Sequence, residues 1–423
     1  MEPVLIEEKN AEKKEKLWNL NFFLLWQGQF ISLFGDVIYE VALGFWVLEL
    51  TGSTAIMGMM MAVAIIPGVL IAPFAGVFVD RWDRKRLLIL MEGIRAVVII
   101  FVGIAAYEGF INLWLVVIAE IIVGICGAFF GPAMNSAVPD VIPKSKLTNA
   151  TSCFGIIQTT SNIIGNSIGG IIFQLFGAPL MFLLNGISFL ISGLLQIFAK
   201  IPKIEKTGEE VRFMEDMKIG YLFLWKFMGL RYFLLNFSVT NFTVCIATVL
   251  LLPLFQMTES LGPEKYGIFM AFFTGGSLMG MVFTSIIQIP PAKRLLVFMA
   301  STIISNLSFM MVALLENFPV MLAFIFVGGV FIAILEVLSF STVQLIIPQD
   351  MRGKVFALIG MVTQSLAPLG MALGGILGEF IPIRTIIFVC FFSQLLFSVP
   401  FAFIPFFKRF MNFDPASDTL ENI

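Results

Sequence analysis

Long apolar stretches, separated by short segments with charges, glycine or proline, repeat along almost the entire chain. The run from Ala55 to Val79 contains no charged residue. A helix that crosses a hydrocarbon core about 30 Å thick needs roughly 20 mainly apolar residues. Strands of outer-membrane barrels are short and alternate between apolar and polar positions, which is not the pattern seen here. The pattern predicts an all-α membrane protein.

Twelve crossings follow when apolar runs are bounded at charges, glycine and proline. The first six cover residues 22–50, 54–79, 87–107, 112–134, 147–175 and 179–199. After a polar connector at 200–218, the other six cover residues 228–257, 264–289, 294–315, 318–346, 352–380 and 382–408. The predicted division is a tail (1–21), a six-helix bundle (22–199), a linker (200–227), a second six-helix bundle (228–408) and a tail (409–423).

The two predicted halves resemble each other in sequence. The segment GNSIGGII at 165–172 aligns with GMALGGIL at 370–377, and the same offset aligns Pro143 with Pro348. Two pseudo-symmetric repeats of six helices are how many secondary transporters build a cavity that opens alternately to each side of the membrane. The repeats therefore favour transport.

Basic residues are distributed asymmetrically between the predicted loops. With the amino terminus inside, the inner loops and tails carry Lys13, Lys14, Lys16, Arg81, Arg84, Lys85, Arg86, Lys144, Lys146, Lys203, Lys206, Arg212, Lys218, Lys293, Arg294, Arg352, Lys354, Lys408 and Arg409. The outer loops carry only Lys265 and Arg384. Because cytoplasmic loops are enriched in lysine and arginine, both termini are predicted to be cytoplasmic.

Composition excludes several classes of function. Hydrophobic residues make up 59% of the chain and charged residues 13%, with a mean hydropathy of +0.97, so much of the surface must face lipid. The chain has no histidine, which excludes imidazole metal ligands and serine–histidine catalysis. The four cysteines lack the spacing of a metal site, and no phosphate-binding loop is present. We expect no enzyme activity, metal, cofactor or nucleic-acid partner.

A short motif follows the second crossing. It runs from Gly76 to Arg86 as GVFVDRWDRKR and resembles the signature loop of the major facilitator superfamily. The resemblance implies the major facilitator fold and a conformational gate formed by Gly76, Asp80, Arg81, Arg84, Lys85 and Arg86. A plain positive-inside anchor is the alternative, but it needs only the positive charges and not the spaced glycine and aspartate.

Four carboxylates interrupt otherwise apolar crossings. Asp36 and Glu40 lie in the first crossing, Glu120 in the fourth and Glu336 in the tenth, and we expect all four to be buried. A charge at mid-membrane costs about 2.5–3.5 kcal/mol on the insertion scale, so each carboxylate must face a partner or water. All four are candidates for proton coupling, and Asp36 and Glu40, which share one helical face, could share a proton or a cationic substrate. The alternative role is a hydrogen bond to a neighbouring helix.

Further polar and small residues mark the crossings. Candidate substrate contacts are Gln29, Gln158, Asn162, Asn236 and Asn241. Membrane helices also use such residues for interhelical hydrogen bonds. Glycines of the fifth and eleventh crossings are Gly165, Gly169, Gly170, Gly374 and Gly375; the first three resemble an antiporter motif, with Asn166 in place of its proline, and all five also suit close helix packing. Glu92 and Arg95 are spaced for a local ion pair.

Two longer segments carry a more specific resemblance. LFGDVIYEVALGFWVLELTGS at 33–53 and GPAMNSAVPDVIP at 131–143 are similar to the macrolide-efflux branch of the superfamily. The resemblance implies proton-coupled export of small amphipathic drugs from the bacterial cytoplasmic membrane, and we expect a monomer. Alternatives are export of a siderophore, peptide or lysolipid made by the cell, or a membrane sensor or scaffold that transports nothing.

Overall fold

The computed structural model describes residues 17–79, 82–143, 146–202, 213–287, 289–348 and 351–414. Within these ranges the regular secondary structure is helical. The helices are α1 (Leu20–Thr51), α2 (Thr54–Val79), α3 (Arg84–Tyr107), α4 (Leu113–Val141), α5 (Leu147–Phe198), α6 (Phe213–Lys226), α7 (Met228–Val249), α8 (Leu251–Met257), α9 (Pro263–Ile286), α10 (Pro291–Leu314), α11 (Phe318–Ile346), α12 (Arg352–Phe380), α13 (Ile383–Ser398) and α14 (Pro405–Met411).

Eleven helical segments of the described chain are long and apolar enough to cross a membrane. One of them lies in α5 and has 50 residues, or about 75 Å of helix, which is more than twice the thickness of a hydrocarbon core. Gly177 interrupts α5 with φ 70° and ψ 177°, a conformation that glycine adopts without a steric penalty. The two arms of α5 are therefore the fifth and sixth crossings, and the predicted fold class is confirmed.

Helix ends differ from the prediction where proline is involved. We predicted that the fourth crossing would end at residue 134, but α4 continues to Val141 with Pro132 and Pro139 inside it. Proline is tolerated in membrane helices because neighbouring groups satisfy the freed backbone carbonyls. The predicted crossing at 382–408 is also wrong in detail, because α13 ends at Ser398 and a 3-10 turn precedes α14. Helix α6, within the predicted linker, was not predicted.

Contacts divide the described residues into two compact units. The first unit takes in the chain up to Trp46 and from Val63 to Val211, and the second takes in Val47–Ala62 and the chain from Arg212 onwards. The tail, bundle and linker boundaries given above stay a prediction.

Each unit has its own apolar packing. In the first, α3 packs against α4 and α5, and a buried cluster includes Phe22, Leu88 and Phe130. In the second, α9 packs against α11 and α7 against α12, and a buried cluster includes Phe233 and Phe407. These packed helices fix the positions of the polar side chains described next.

Candidate functional sites

A cluster of carboxylates lies inside the first unit. Asp36, Tyr39 and Glu40 project from one face of α1, since residues three and four apart are neighbours on a helix. The Tyr39 hydroxyl donates a hydrogen bond to Oε1 of Glu120 on α4. The Asn185 Nδ2 group of α5 donates to Oδ1 of Asp36 at 3.3 Å. Three helices thus bring the side chains of this carboxylate cluster together.

The candidate carboxylates differ in accessibility. Glu120 is buried, with 3% of its surface exposed, and Asp36 is partly buried. Glu40 and Glu336 are exposed, so the expectation that all four would be buried is wrong for these two. Exposure gives a carboxylate within an apolar helix access to water or a polar ligand, which reduces the cost of its charge.

Arg95 lies deep in the first unit, beside Glu92 on α3. The closest separation between the two side chains is 4.0 Å, from Nη1 of Arg95 to Oε2 of Glu92. The guanidinium carbon lies 5.2 Å from the ring centroids of both Phe130 and Phe189, a geometry in which aromatic faces stabilise a cation. The predicted local ion pair is therefore present, and aromatic packing from α4 and α5 holds the guanidinium as well.

The Glu92 side chain is fully buried and connects to the carboxylate cluster by charge. The Ser192 hydroxyl donates to Oε1 of Glu92 at 2.8 Å. Arg95 interacts electrostatically with both Glu92 and Asp36. Glu40 likewise interacts with Asp36 and Glu120. Four carboxylates and one guanidinium therefore influence one another inside this unit.

Part of the predicted gate can be described. Asp80 and Arg81 lie outside the described residues, and Gly76 belongs to α2. Arg84, in the first turn of α3, forms an ion pair with Asp140 near the end of α4. The same Nη1 atom donates to the carbonyl oxygen of Ser136 at 3.0 Å. Arg84 thus joins the start of α3 to the end of α4.

Lys85 and Arg86, the other basic residues at the start of α3, also form hydrogen bonds. Lys85 Nζ donates to the carbonyl oxygen of Ile197 at 2.7 Å, near the carboxyl end of α5, where cations are favourable. The Asp83 side chain caps α3 by accepting from the amide of Arg86 at 3.1 Å. A positive-inside anchor would need only the positive charges of these residues. The directed hydrogen bonds are therefore not required by that alternative.

We expect the Arg84–Asp140 pair to stabilise the first unit. The side chains are 21% and 14% exposed, and a hydrogen bond to a charged group contributes about 1.5–3 kcal/mol. Arg84→Gln and Asp140→Asn should each lower the melting temperature in detergent, and the double variant should lower it by less than their sum. Arg86→Gln is the control, because its side chain is 81% exposed and 3.8 Å from Asp83. Additive effects of the two changes would contradict the pairing.

The candidate substrate contacts fall into two groups. In the first unit, Gln158 and Asn162 are exposed, while Oε1 of Gln29 is buried without a partner among the described residues. In the second unit, Asn236 Nδ2 donates to Ser398 Oγ at 3.0 Å, and Asn241 Nδ2 donates to the Thr363 carbonyl at 2.9 Å. The two asparagines therefore join helices while also lining the cavity described below.

The glycines of the predicted packing motif lie at close helix contacts. A Cβ atom at Gly165 would lie 2.7 Å from the Val37 side chain, and one at Gly169 would lie 3.2 Å from Val41. Gly170 is buried in the same arm of α5. Gly374 and Gly375 face backbone oxygens, at 2.8 Å and 2.5 Å from their ideal Cβ positions. A side chain at Gly374 or Gly375 would clash with backbone and separate the helices, whereas one at Gly165 or Gly169 would have to displace a valine side chain.

A cavity of about 250 Å³ lies within the second unit. Helices α7, α9, α10, α11 and α13 supply most of its lining, which is largely apolar and contains seven phenylalanines. Glu336 on α11 is the one ionisable side chain among the described residues that line it. The candidate carboxylates are thus separated: three are in the first unit and one borders this cavity.

Several polar residues at these sites were missed by the sequence analysis. Tyr39 and Asn185 resemble ordinary core residues until α1, α4 and α5 are packed together. Asp140 lies in the quoted segment at 131–143, and its position one turn after Ser136 was a usable signal. Asn306 and Ser339, which line the cavity, had no sequence signal beyond their polarity.

Comparison with known proteins agrees with this architecture. A family model described as Major Facilitator Superfamily matches residues 25–371. The chain is 28% identical to Macrolide efflux protein A of Streptococcus pyogenes over 87% of its length and 91% of that protein's, and 23% identical to Multidrug efflux pump Tap of Mycobacterium bovis (strain BCG / Pasteur 1173P2) over 84% and 86%. These similarities confirm the predicted resemblance to the macrolide-efflux branch.

The structure also resembles solved transporters. A crystal structure of a bacterial homologue of the iron transporter ferroportin in the inward-facing state superimposes with a TM-score of 0.67 at 18% identity, covering 91% of this chain and 98% of that one. This likeness concerns the fold alone. Together with the family match over most of the sequence, the helical membrane architecture shows that the chain is a multi-pass membrane transporter that belongs to the Major Facilitator Superfamily.

Proposed function

We propose that this transporter is a proton-coupled antiporter that exports small amphipathic molecules, drug-like or macrolide-like, from the bacterial cytoplasm by alternating access. The observation that carries the proposal is the carboxylate cluster of the first unit, in which Asp36 and Glu40 share a face of α1 with Tyr39, whose hydroxyl donates to Glu120. The efflux activity stated in the names of the relatives supports the direction of transport.

The charge balance of the cluster favours proton binding. Asp36, Glu40, Glu92 and Glu120 would carry four negative charges, whereas Arg95 supplies one positive charge. Like charges close together in an apolar environment cannot all stay ionised, because each disfavours the charged form of the others. The cluster therefore holds protons, and any change in its exposure or in the distance to Arg95 changes how many it holds.

Hydrogen bonding assigns different roles to the carboxylates. Glu120 is buried and accepts from the Tyr39 hydroxyl, which fixes its orientation. Asp36 accepts from Asn185 at the long distance of 3.3 Å and keeps part of its surface accessible. Glu40, one turn further along the same face of α1, is more exposed, so we propose that it passes protons from water to Asp36, the coupling site, with Glu120 as a further partner.

Coupling requires that protons and substrate favour different conformations. A ligand shifts a conformational equilibrium only by the difference between its affinities for the two states. Protons entering from outside would neutralise Asp36 and favour the state that releases substrate outward, and their loss to the cytoplasm would reset the transporter. The motif from Gly76 to Arg86 would stabilise one of these states.

The remaining features of the proposal concern the surroundings of the protein. The bacterial cytoplasmic membrane is the proposed location, with both termini in the cytoplasm, as the distribution of lysine and arginine predicts. The proposed partners are the lipid bilayer, protons and the exported molecule, with no nucleic acid and no second subunit. Export of a siderophore, peptide or lysolipid made by the cell is the alternative. It would use the same proton-coupling residues and conformational change and would differ from drug export only in the substrate.

Reconstitution of the wild-type protein in liposomes tests the proposal. A pH gradient is imposed, the lumenal pH is followed with a dye, and a macrolide or a lipophilic cation is added. We expect substrate-evoked proton movement that a protonophore abolishes and that protein-free liposomes do not show. Substrate movement that is unaffected by the gradient and by the protonophore would contradict proton coupling. Absence of any movement with drugs, followed by movement with cell extracts, would identify an exporter of an endogenous metabolite.

A further inference from the structure

We propose that the cavity inside the second unit is a binding site for a small lipophilic amine, protonated and carrying a single positive charge, with Glu336 as its counter-ion. The inference rests on the proposed export function in naming a substrate class. It also narrows that class to small amines with a single positive charge.

The wall of the cavity is aromatic. The rings of Phe309 and Phe391 lie 4.7 Å apart between centroids, and those of Phe273 and Phe309 lie 6.3 Å apart. These rings come from α9, α10 and α13 and form a continuous apolar surface. Such a surface favours a flat hydrocarbon body, and ring faces also attract a nearby cation.

Glu336 supplies the charge. It borders the cavity and is exposed, so it stands where the cavity opens. Within the described part of the chain, no lysine or arginine lies within ion-pair distance of its carboxylate. A lone carboxylate beside an aromatic wall matches a ligand with one positive charge. The bound cation would in turn reduce the energetic cost of keeping Glu336 ionised.

Two unpartnered polar atoms indicate a hydrogen-bond donor on the ligand. Asn306 is 5% exposed; its Nδ2 group donates to the Thr302 carbonyl at 2.8 Å, but its Oδ1 atom has no described partner. The Ser339 hydroxyl, 3% exposed and one turn after Glu336, also has none. A buried acceptor without a donor is costly. An ammonium N–H would satisfy it, so a protonated amine fits better than a quaternary ammonium ion.

The volume limits the size of the ligand. Pockets for drug-sized ligands have about 300–1,000 Å³, and this cavity, at about 250 Å³, lies just below that range. A molecule with one aromatic ring and a short amine side chain fits that space.

Binding of three benzyl probes to the protein in lipid nanodiscs tests the site. N,N-dimethylbenzylamine in its protonated form has a charge and an N–H donor, benzyltrimethylammonium has the charge alone, and neopentylbenzene has the same shape with neither. Equilibrium dialysis, with empty nanodiscs subtracted, measures each affinity. For the wild type we expect the protonated amine to bind most tightly and neopentylbenzene most weakly.

Variants separate the two polar contributions. Glu336→Gln should weaken the binding of both cations about tenfold or more and leave the affinity for neopentylbenzene unchanged. Asn306→Leu should weaken the binding of the protonated amine alone, by roughly threefold to tenfold. The hydrogen bond that Asn306 donates stays within α10, to the carbonyl of Thr302, so losing it removes no hydrogen bond between helices. Glu316→Gln is the matched control, because Glu316 is an exposed residue of the same unit outside the cavity lining.

Unchanged cation affinity in Glu336→Gln, or equal affinity of the wild type for the cation and its neutral isostere, would overturn the proposal. The dialysis needs no pH gradient and no transport, so its outcome is independent of proton coupling. Charge-selective binding without substrate-evoked proton movement would leave this site standing and remove the antiport mechanism. Coupled transport without charge-selective binding would place the substrate elsewhere.

Discussion

Proteoliposomes that contain Asp36→Asn should lose drug export driven by a pH gradient, with the rate falling to that of protein-free liposomes. Asparagine keeps the size of the side chain and can still hydrogen-bond to Asn185, but it cannot bind or release a proton. The variant should nevertheless exchange labelled for unlabelled substrate at equal pH, because exchange requires substrate binding and conformational change without net proton movement. Loss of gradient-driven export with retained exchange would assign proton coupling to Asp36.

Two further variants make that experiment decisive. Glu49→Gln changes a carboxylate on the same helix that is exposed and outside the cluster, so gradient-driven export should persist. Glu120→Gln should reduce export without abolishing it, because the Tyr39 hydroxyl loses a charged acceptor but Asp36 remains. If Asp36→Asn exported as well as the wild type, Asp36 would lose its coupling role, and Glu40, Glu120 and Glu336 would be the next candidates to test.

The fold could be predicted almost entirely from the apolar pattern, because the thickness of the bilayer fixes the length of each crossing. The predicted bounds at 54–79, 318–346 and 352–380 agree with α2, α11 and α12. Errors of two opposite kinds arose at prolines. The fourth crossing was ended too early, because neighbouring groups stabilise the carbonyls freed by Pro139, whereas the last crossing was continued past Pro400, although its α-helix ends at Ser398.

The candidate sites could be predicted only in part. Helical spacing places Asp36 and Glu40 on one face, but it does not tell which neighbouring helix that face meets. The contact between Tyr39 and Glu120 depends on how α1 and α4 are rotated and cross, and no local pattern encodes this. The same applies to Arg95, whose aromatic neighbours come from distant parts of the sequence.

A different sequence signal, two glycines four residues apart, was available in the second half and was overlooked. Gly276 and Gly280 of α9 form a small-xxx-small pattern, which brings membrane helices close together. They pack on α11, where an ideal Cβ at Gly276 would lie 2.1 Å from the carbonyl oxygen of Phe326, and one at Gly280 would lie 2.2 Å from that of Val330. Both helices line the cavity of the second unit, so their separation sets its width.

Gly276→Ala is therefore expected to destabilise the second unit strongly. The new methyl group would meet a backbone oxygen, which cannot rotate away as a side chain does, so α9 and α11 must move apart. Overpacking costs about 1–3 kcal/mol, and a clash with backbone belongs at the upper end. For a unit of this size that corresponds to a melting temperature lower by roughly 5–10 °C, measured by size-exclusion chromatography after heating in detergent.

The neighbouring glycine provides the matched control, because it carries the same substitution into a different environment. At Gly275 the nearest atom to the ideal Cβ is Cε2 of Phe326 at 3.8 Å, an ordinary contact with a side chain. Alanine is the better helix former by about 1 kcal/mol, so Gly275→Ala should leave the melting temperature unchanged or raise it. Opposite outcomes for two adjacent glycines would show that backbone contact between α9 and α11, and not helix propensity, determines the stability of this unit. Equal shifts would contradict that contact.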